Sequence, residues 1–176
     1  MSEEVFSGAE VSLAEMLETR EKRVSRQEAL LHKWPDASLL LATMNIPGPV
    51  KSSVVLSRIF SQMVAQIKKQ LADIHVLYKV EYDIKTGPEF YLLADVSPMF
   101  LKEVMIDLEE NFPYGRLFDL DIHYFADSLQ SISRQDINLP PRQCLICHRE
   151  AKECGRQRRH SVEEMQEKIA EIINQE

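Results

Sequence analysis

From Ser12 to Leu31, apolar residues recur at Leu13, Met16, Leu17, Val24, Leu30 and Leu31 with charges between them, a period that predicts an amphipathic helix. Ser12 stands as its N-cap with Glu15 three residues on, a pairing that satisfies two free backbone donors at once. Trp34-Pro35 ends it, because proline cannot extend a helix and disfavours helical geometry in the residue before it. Residues 38–44 are almost wholly apolar and predict a buried strand, which empties into the stiff turn Asn45-Ile46-Pro47-Gly48-Pro49. A spacing of four at Val55, Ile59, Met63, Ile67 and Leu71 predicts a helix over 53–71. Two β-rich runs, 74–82 and 90–96, flank Lys85-Thr86-Gly87-Pro88 and predict a hairpin. Ser97-Pro98 supplies an N-cap and first-turn proline for a helix through Asn111, and 112–124 alternates as a strand around Leu117, Asp119, Asp121 and His123. Beyond it 130–141 reads as a loop, 144–160 lacks apolar periodicity, and 161–173 returns to helical spacing at Met165, Ile169, Ile172 and Ile173.

The order is therefore β-α-β-β-α-β preceded by one helix. This predicts the α+β class, with a ferredoxin-like antiparallel sheet carrying two helices on one face. A palm-like nucleotidyltransferase sheet is the competing topology. At 176 residues the chain suits a single domain over 1–176, divided into an α+β core at 12–129 and a basic Cys/His segment with its helix at 130–176. No internal repeat is visible. Composition narrows the class: 44% apolar and 28% charged residues suit a soluble globular protein, and the longest apolar run is far short of the roughly 20 residues of a membrane helix. The acidic N-terminus has no apolar stretch like that of a signal peptide, and three Cys is an odd count. Both point to the cytoplasm, with reduced thiols, and to no membrane partner. A formal charge of -7 argues against nucleic acid as a partner.

Five constellations could carry chemistry. In Gly115-Arg116-Leu117-Phe118-Asp119-Leu120-Asp121-Ile122, a strand would send Asp119 and Asp121 to one face and Phe118, Leu120 and Ile122 to the other. Two carboxylates that close repel unless a cation lies between them, and Mg²⁺ takes one or two carboxylates together with substrate phosphates. A plain strand with a wet polar face is the competing reading. Residues 142–160 hold Arg142, Arg149, Lys152, Arg156, Arg158 and Arg159 against Glu150 and Glu153, a local charge of +4 that leaves -11 for the rest. Guanidinium forks there suit a small phosphorylated ligand better than a long polyanion, which the acidic remainder would repel. Cys144, Cys147, Cys154 and His160 together offer a tetrahedral Zn²⁺ ligand set, against buried free thiols. Arg20, Arg23 and Gln27 share one helical face, and Lys51 follows the glycine-containing turn within reach of a phosphate.

Taken jointly, Arg20-Glu21-Lys22-Arg23 through Gln27, Asn45 to Lys51, Gly115 to Asp121, Pro140-Pro141-Arg142-Gln143-Cys144-Leu145-Ile146-Cys147 and Cys154 to His160 occur in the order seen in one family. The chain resembles the citrate lyase holo-acyl-carrier-protein synthase family from about Leu13 to the C-terminal helix. The resemblance implies transfer of a phosphoribosyl-dephospho-CoA group from its triphosphate precursor, triphosphoribosyl-dephospho-CoA, to a serine of the apo acyl-carrier subunit of citrate lyase, releasing diphosphate. On that reading Asp119 and Asp121 hold Mg²⁺ and, with Arg116, form the catalytic group. Arg142, Arg156, Arg158, Arg159 and His160 bind the substrate and steady the departing diphosphate, with Arg20, Arg23 and Lys51 on the same polyphosphate or the adenylate. Asp95, Asp127 and Asp136 compete for the place of a third carboxylate. A non-catalytic interaction module with a zinc-clipped basic tail is the alternative function.

Overall fold

The structure, a computed structural model, describes residues 2–175. In chain order the helices and strands are α1 (Ser2–Val5), α2 (Leu13–Lys33), β1 (Ser38–Met44), α3 (Val54–Gln70), β2 (Val76–Tyr82), β3 (Glu89–Ala94), α4 (Pro98–Asn111), β4 (Phe118–Ala126), β5 (Ser128–Ile132), α5 (Ala151–Arg156) and α6 (Val162–Asn174). They form the expected α+β fold: one open antiparallel sheet in the order β2-β3-β1-β4-β5. Its first four strands have the ferredoxin-like arrangement. The predicted caps hold. Ser12 accepts from the Glu15 N–H at 3.2 Å while Glu15 accepts from the Ser12 N–H at 2.8 Å, and Ser97 caps α4; Ser53 and Ser161, not singled out as caps in the sequence, cap α3 and α6. No helix of the described residues is long and apolar enough to cross a membrane.

The sheet is covered on both faces at its centre, which is why β1 and β3 read as unbroken apolar runs. Leu40, Ala42, Phe90, Leu92, Leu120 and Ile122 face α3 and α4, and Ile169 of α6 joins that core. Leu39, Leu41, Tyr91 and Leu93 face the other way and pack with Leu31 of α2 and with Trp34 just beyond it. Strand alternation carries Asp119 and Asp121 to this second face, opposite Thr43 and Leu41 of β1.

Two sequence expectations are corrected. The strand expected from Phe112 begins at Phe118, because Gly115–Leu117 form a 3-10 turn folded back on the end of α4. Gly115 lies so close to the Leu108 and Glu109 carbonyls that a Cβ would collide with them. Residues 130–132, expected in a loop, belong to β5, which returns along β4 through Asp127 in the left-handed region (φ 62°). Its polar sequence hides it, since an edge strand need not bury both faces.

One buried ionic cluster locks α2 to the sheet. The Glu89 carboxylate, fully buried, accepts from Arg23 Nε at 2.6 Å, from Arg26 at 3.3 Å and from the Tyr91 hydroxyl at 2.8 Å. Burial, then the Glu89 charge, push the Tyr91 phenol beyond its ordinary range. Removing the carboxylate strands two guanidiniums beside an apolar face, so Glu89→Ala should cost about 3 kcal/mol or more in urea unfolding. Exposed pairs such as Lys22–Glu18 should contribute less than about 1 kcal/mol by the same measurement.

Candidate active site and metal centre

β5 pairs with β4 only from Ile122 onward, where it faces Ile132. Below that point the β4 edge is uncovered, and a polar cavity of about 270 Å³ opens there. Asp119, Asp121, Glu109, Lys102, Arg134 and Arg142 stand on its wall. Asp119 is half-buried and Asp121 exposed. Burial raises the Asp119 carboxyl above its ordinary pKa; the Arg142 charge opposes that rise and the Asp121 charge adds to it.

Arg142 comes from the C-terminal segment and seats its guanidinium on the start of β4. It donates to Asp119 Oδ1 at 2.7 Å and to the Phe118 carbonyl at 2.7 Å, with longer contacts of 3.4 Å to the Gly115 and Arg116 carbonyls. Arg116 answers by donating to the Gln143 carbonyl at 2.6 Å. Arg142 also lines a second, larger cavity of about 620 Å³, whose wall includes Asn45 and Pro47 of the stiff turn, Arg116, Arg158, and the apolar Met165 and Ile169 of α6. Gln166 of α6 donates to the Pro47 carbonyl at 3.2 Å, and Gly48 (φ 86°) passes so close to α6 that a side chain would strike Gln166. The two cavities thus share Arg142 as a wall, with carboxylates on one side and a half-apolar space on the other.

The same segment builds a thiol cluster. Cys144 N–H to Arg149 O at 2.7 Å and Ala151 N–H to Arg142 O at 2.8 Å close a small knuckle, and α5 then brings in Cys154. Arg158 in the left-handed region (φ 46°) turns the chain back to deliver His160. One ligand atom from each of Cys144, Cys147, Cys154 and His160 lies within 4.8 Å of the others, a group that could bind a metal ion. Cys147 Sγ is 3.5 Å from Cys154 Sγ and 3.4 Å from His160 Nε2. Burial and the neighbouring thiols push Cys154 up to about 11. Burial also works against ionisation of Cys144, but hydrogen bonds from the Cys147 and Ile146 backbone outweigh it and lower that thiol.

The structure distributes the other singled-out residues. Arg23 is bonded to Glu89 and Gln27 to His123 at 3.2 Å, while Arg20 is exposed on α2. Lys51 donates to the Ile46 carbonyl, and its pKa is lowered by burial and then by the charge of Arg20, so these two cations are neighbours. Arg156 and Arg159 are exposed and line neither cavity. Asp95, Asp127 and Asp136 line neither cavity as well. The acid that joins the pair is Glu109, which sequence reasoning missed. Its signal was present: Lys102 and Glu109 fall on the apolar face of α4 with Leu101, Met105 and Leu108, where a charge persists only with a partner.

Hard oxygen donors on a polar wall suit a hard divalent cation. Two strand-mate carboxylates also leave open the coordination positions that Mg²⁺ fills with water and substrate phosphate. Kinship defines the chain as a transferase. The family model described as apo-citrate lyase phosphoribosyl-dephospho-CoA transferase matches residues 11–176. A Streptococcus pyogenes serotype M18 protein named probable apo-citrate lyase phosphoribosyl-dephospho-CoA transferase is 45% identical over 96% of this chain and 88% of its own length. An Escherichia coli O7:K1 protein named apo-citrate lyase phosphoribosyl-dephospho-CoA transferase is 33% identical over 97% of this chain and 93% of its own. A Haemophilus influenzae protein named CitXG is 31% identical over 94% of this chain, a stretch that makes up 35% of its own length. The chain belongs to the apo-citrate lyase phosphoribosyl-dephospho-CoA transferase family.

A carboxylate must be ionised to bind a cation, so with Asp119 in that role activity should fall as pH drops through its pKa, which burial raises above the ordinary aspartate value. Arg142 opposes that rise. Arg142→Gln should therefore shift the acid limb of the kcat/KM profile to higher pH, and an unmoved limb would detach Asp119 from catalysis.

Proposed function

We propose that this chain transfers the phosphoribosyl-dephospho-CoA group from its triphosphate precursor to a serine hydroxyl of the apo acyl-carrier subunit of citrate lyase. The serine oxygen bonds to the phosphorus nearest the ribose, the bond from that phosphorus to the outer two phosphates breaks, and diphosphate leaves. The single observation that carries the reading is the seat of Arg142 on Asp119, between a charged cavity and a half-apolar one. The smaller cavity, with Arg134, Arg142 and Lys152 around the carboxylates, suits a triphosphate. The larger one suits the dephospho-CoA portion, with Arg116 and Arg158 toward its phosphates and Met165 and Ile169 toward its apolar arm.

Asp119 and Asp121 are the residues that would hold Mg²⁺, which when bound neutralises charge on the leaving diphosphate. Arg116 and Arg142 add fixed positive charge beside them. Asp121, exposed and unpaired with Arg142, is the carboxylate placed to take the serine proton, directly or through water. Arg156 and Arg159, exposed at the end of α5 and just beyond it, add positive charge to the outer surface of the segment, while His160 belongs to the thiol cluster. Arg20 and Lys51, whose charges act on each other, form a second basic patch beside the middle of α2, while Arg23 is taken up by Glu89.

The metal of the thiol cluster is Zn²⁺ on this reading. Zinc–sulfur bonds of about 2.3 Å give tetrahedral edges of about 3.8 Å; Cys147 stands at 3.5 Å from Cys154 and 3.4 Å from His160, and the whole set lies within 4.8 Å. Three ligand thiols suit the reducing conditions of the cytoplasm. The ion would order a segment that has little core of its own and so hold Arg142 and Arg158 in place.

Incubation of apo-citrate lyase with this protein, the triphosphate precursor and Mg²⁺ should raise the mass of the carrier subunit by one prosthetic group. Asp119→Asn should cut the rate by about 100-fold or more with an unchanged circular dichroism spectrum. A carrier of unchanged mass, bound regardless of Mg²⁺ and nucleotide, would instead establish an interaction module. Metal analysis of purified protein should find about one zinc per chain, and a zinc-free preparation of full activity and stability would remove the ion.

A further inference from the structure

In an antiparallel ladder each residue offers its N–H and C=O to one neighbouring strand or the other. Where β5 stops, at Ile132 opposite Ile122, the backbone groups of Leu120 face an edge with no strand on it. They are nonetheless paired. Glu109 Oε1 accepts from the Leu120 N–H at 2.9 Å, and Lys102 Nζ donates to the Leu120 carbonyl at 3.1 Å. The two side chains lie seven residues apart, two turns of α4, so both reach the same edge. Both are buried, Glu109 at 5% and Lys102 at 6% exposure, and Arg134 gives Glu109 a counter-charge at 3.7 Å.

We propose that Glu109 and Lys102 act as a side-chain substitute for a strand partner at Leu120, and so fix the direction of the flanking Asp119 and Asp121 carboxylates while leaving the cavity beside them open. A backbone strand continued past Ile132 would satisfy Leu120 equally well, but its own residues would fill the space that the substrate needs. Two side chains from a helix close the ladder from one side only. Glu109 and Lys102 are therefore positioning residues for the acids on either side of Leu120, an inference that rests on the transferase reading for its kinetic consequence and on geometry alone for its structural one.

Three variants test it, each read by transfer kinetics and by hydrogen exchange at the Leu120 amide. Glu109→Gln keeps an oxygen acceptor without the charge, Glu109→Ala removes the acceptor, and Lys102→Met keeps chain length without the donor. In Glu109→Ala the Leu120 amide should exchange about 100-fold faster, and kcat should fall about 30-fold with the donor KM changed less than about 3-fold. Glu109→Gln should restore slow exchange and bring kcat within about 5-fold of the parent. Lys102→Met approaches the same peptide from its carbonyl side and should lower kcat about 10-fold, which keeps the test decisive if Glu109→Ala folds poorly. Glu109→Gln as inactive as Glu109→Ala would overturn the positioning role, because the charge itself would then act on the metal or a proton. Unaccelerated exchange in Glu109→Ala would overturn the substitution of the strand. Exchange reports on the backbone pairing whether or not the parent transfers anything, so a failure of the transferase reading registers separately, as a parent protein without activity.

Discussion

The guanidinium of Arg142 decides where the C-terminal segment meets the sheet. One planar group with several donors binds the Asp119 carboxylate and the Phe118 carbonyl together, a fork that a lysine ammonium could not reproduce. From that anchor the chain runs directly into the knuckle that carries Cys144 and Cys147, so the thiol cluster is built two residues away from the grip on β4. The polar cavity, the half-apolar cavity and the thiol cluster are therefore parts of one assembly. Arg116 strengthens it from the opposite side by holding the Gln143 carbonyl.

Charge is placed inside this fold only where backbone or counter-charge meets it. Glu89 is enclosed by two arginines and a tyrosine hydroxyl, and it clamps α2 onto the sheet. Glu109 is enclosed by a backbone N–H and Arg134, and it completes a ladder. Both are buried acids with named partners, which is the condition under which burial of a charge is tolerated. They differ in location: Glu89 borders a cavity between α2 and the β2–β3 hairpin, whereas Glu109 borders the one that holds Asp119 and Asp121.

The two donor sets also differ in kind. Oxygen ligands gather on the strand edge, and sulfur with one imidazole gathers in the knuckle, so hard and soft cations would be sorted by chemistry as much as by shape. The oxygen set is incomplete by design of a strand, which can send only alternate residues to one face. The thiol set is closed, because a turn and a short helix can wrap one point from several directions.

Apolar spacing, caps and turn residues were enough to locate α2, β1, α3, α4 and α6 and the hairpin between β2 and β3, because those signals act over a few neighbouring residues. The α+β class followed from their order. Local signals also placed Asp119 with Asp121 on one strand face and grouped the three cysteines with His160. They could not show β5, whose polar residues carry little pattern, nor the turn at Gly115, which is dictated by contact with the end of α4. Glu109 left a trace, a charge on the apolar face of α4, but its partner, a backbone group eleven residues away, lies beyond local signals. Sequence alone determined which residues alternate, cap and break, all consequences of bonding between near neighbours. Only the folded chain decided that Arg142 reaches Asp119 across 23 residues and that β5 stops short of Leu120, because both depend on which surfaces compete for burial once the chain is compact.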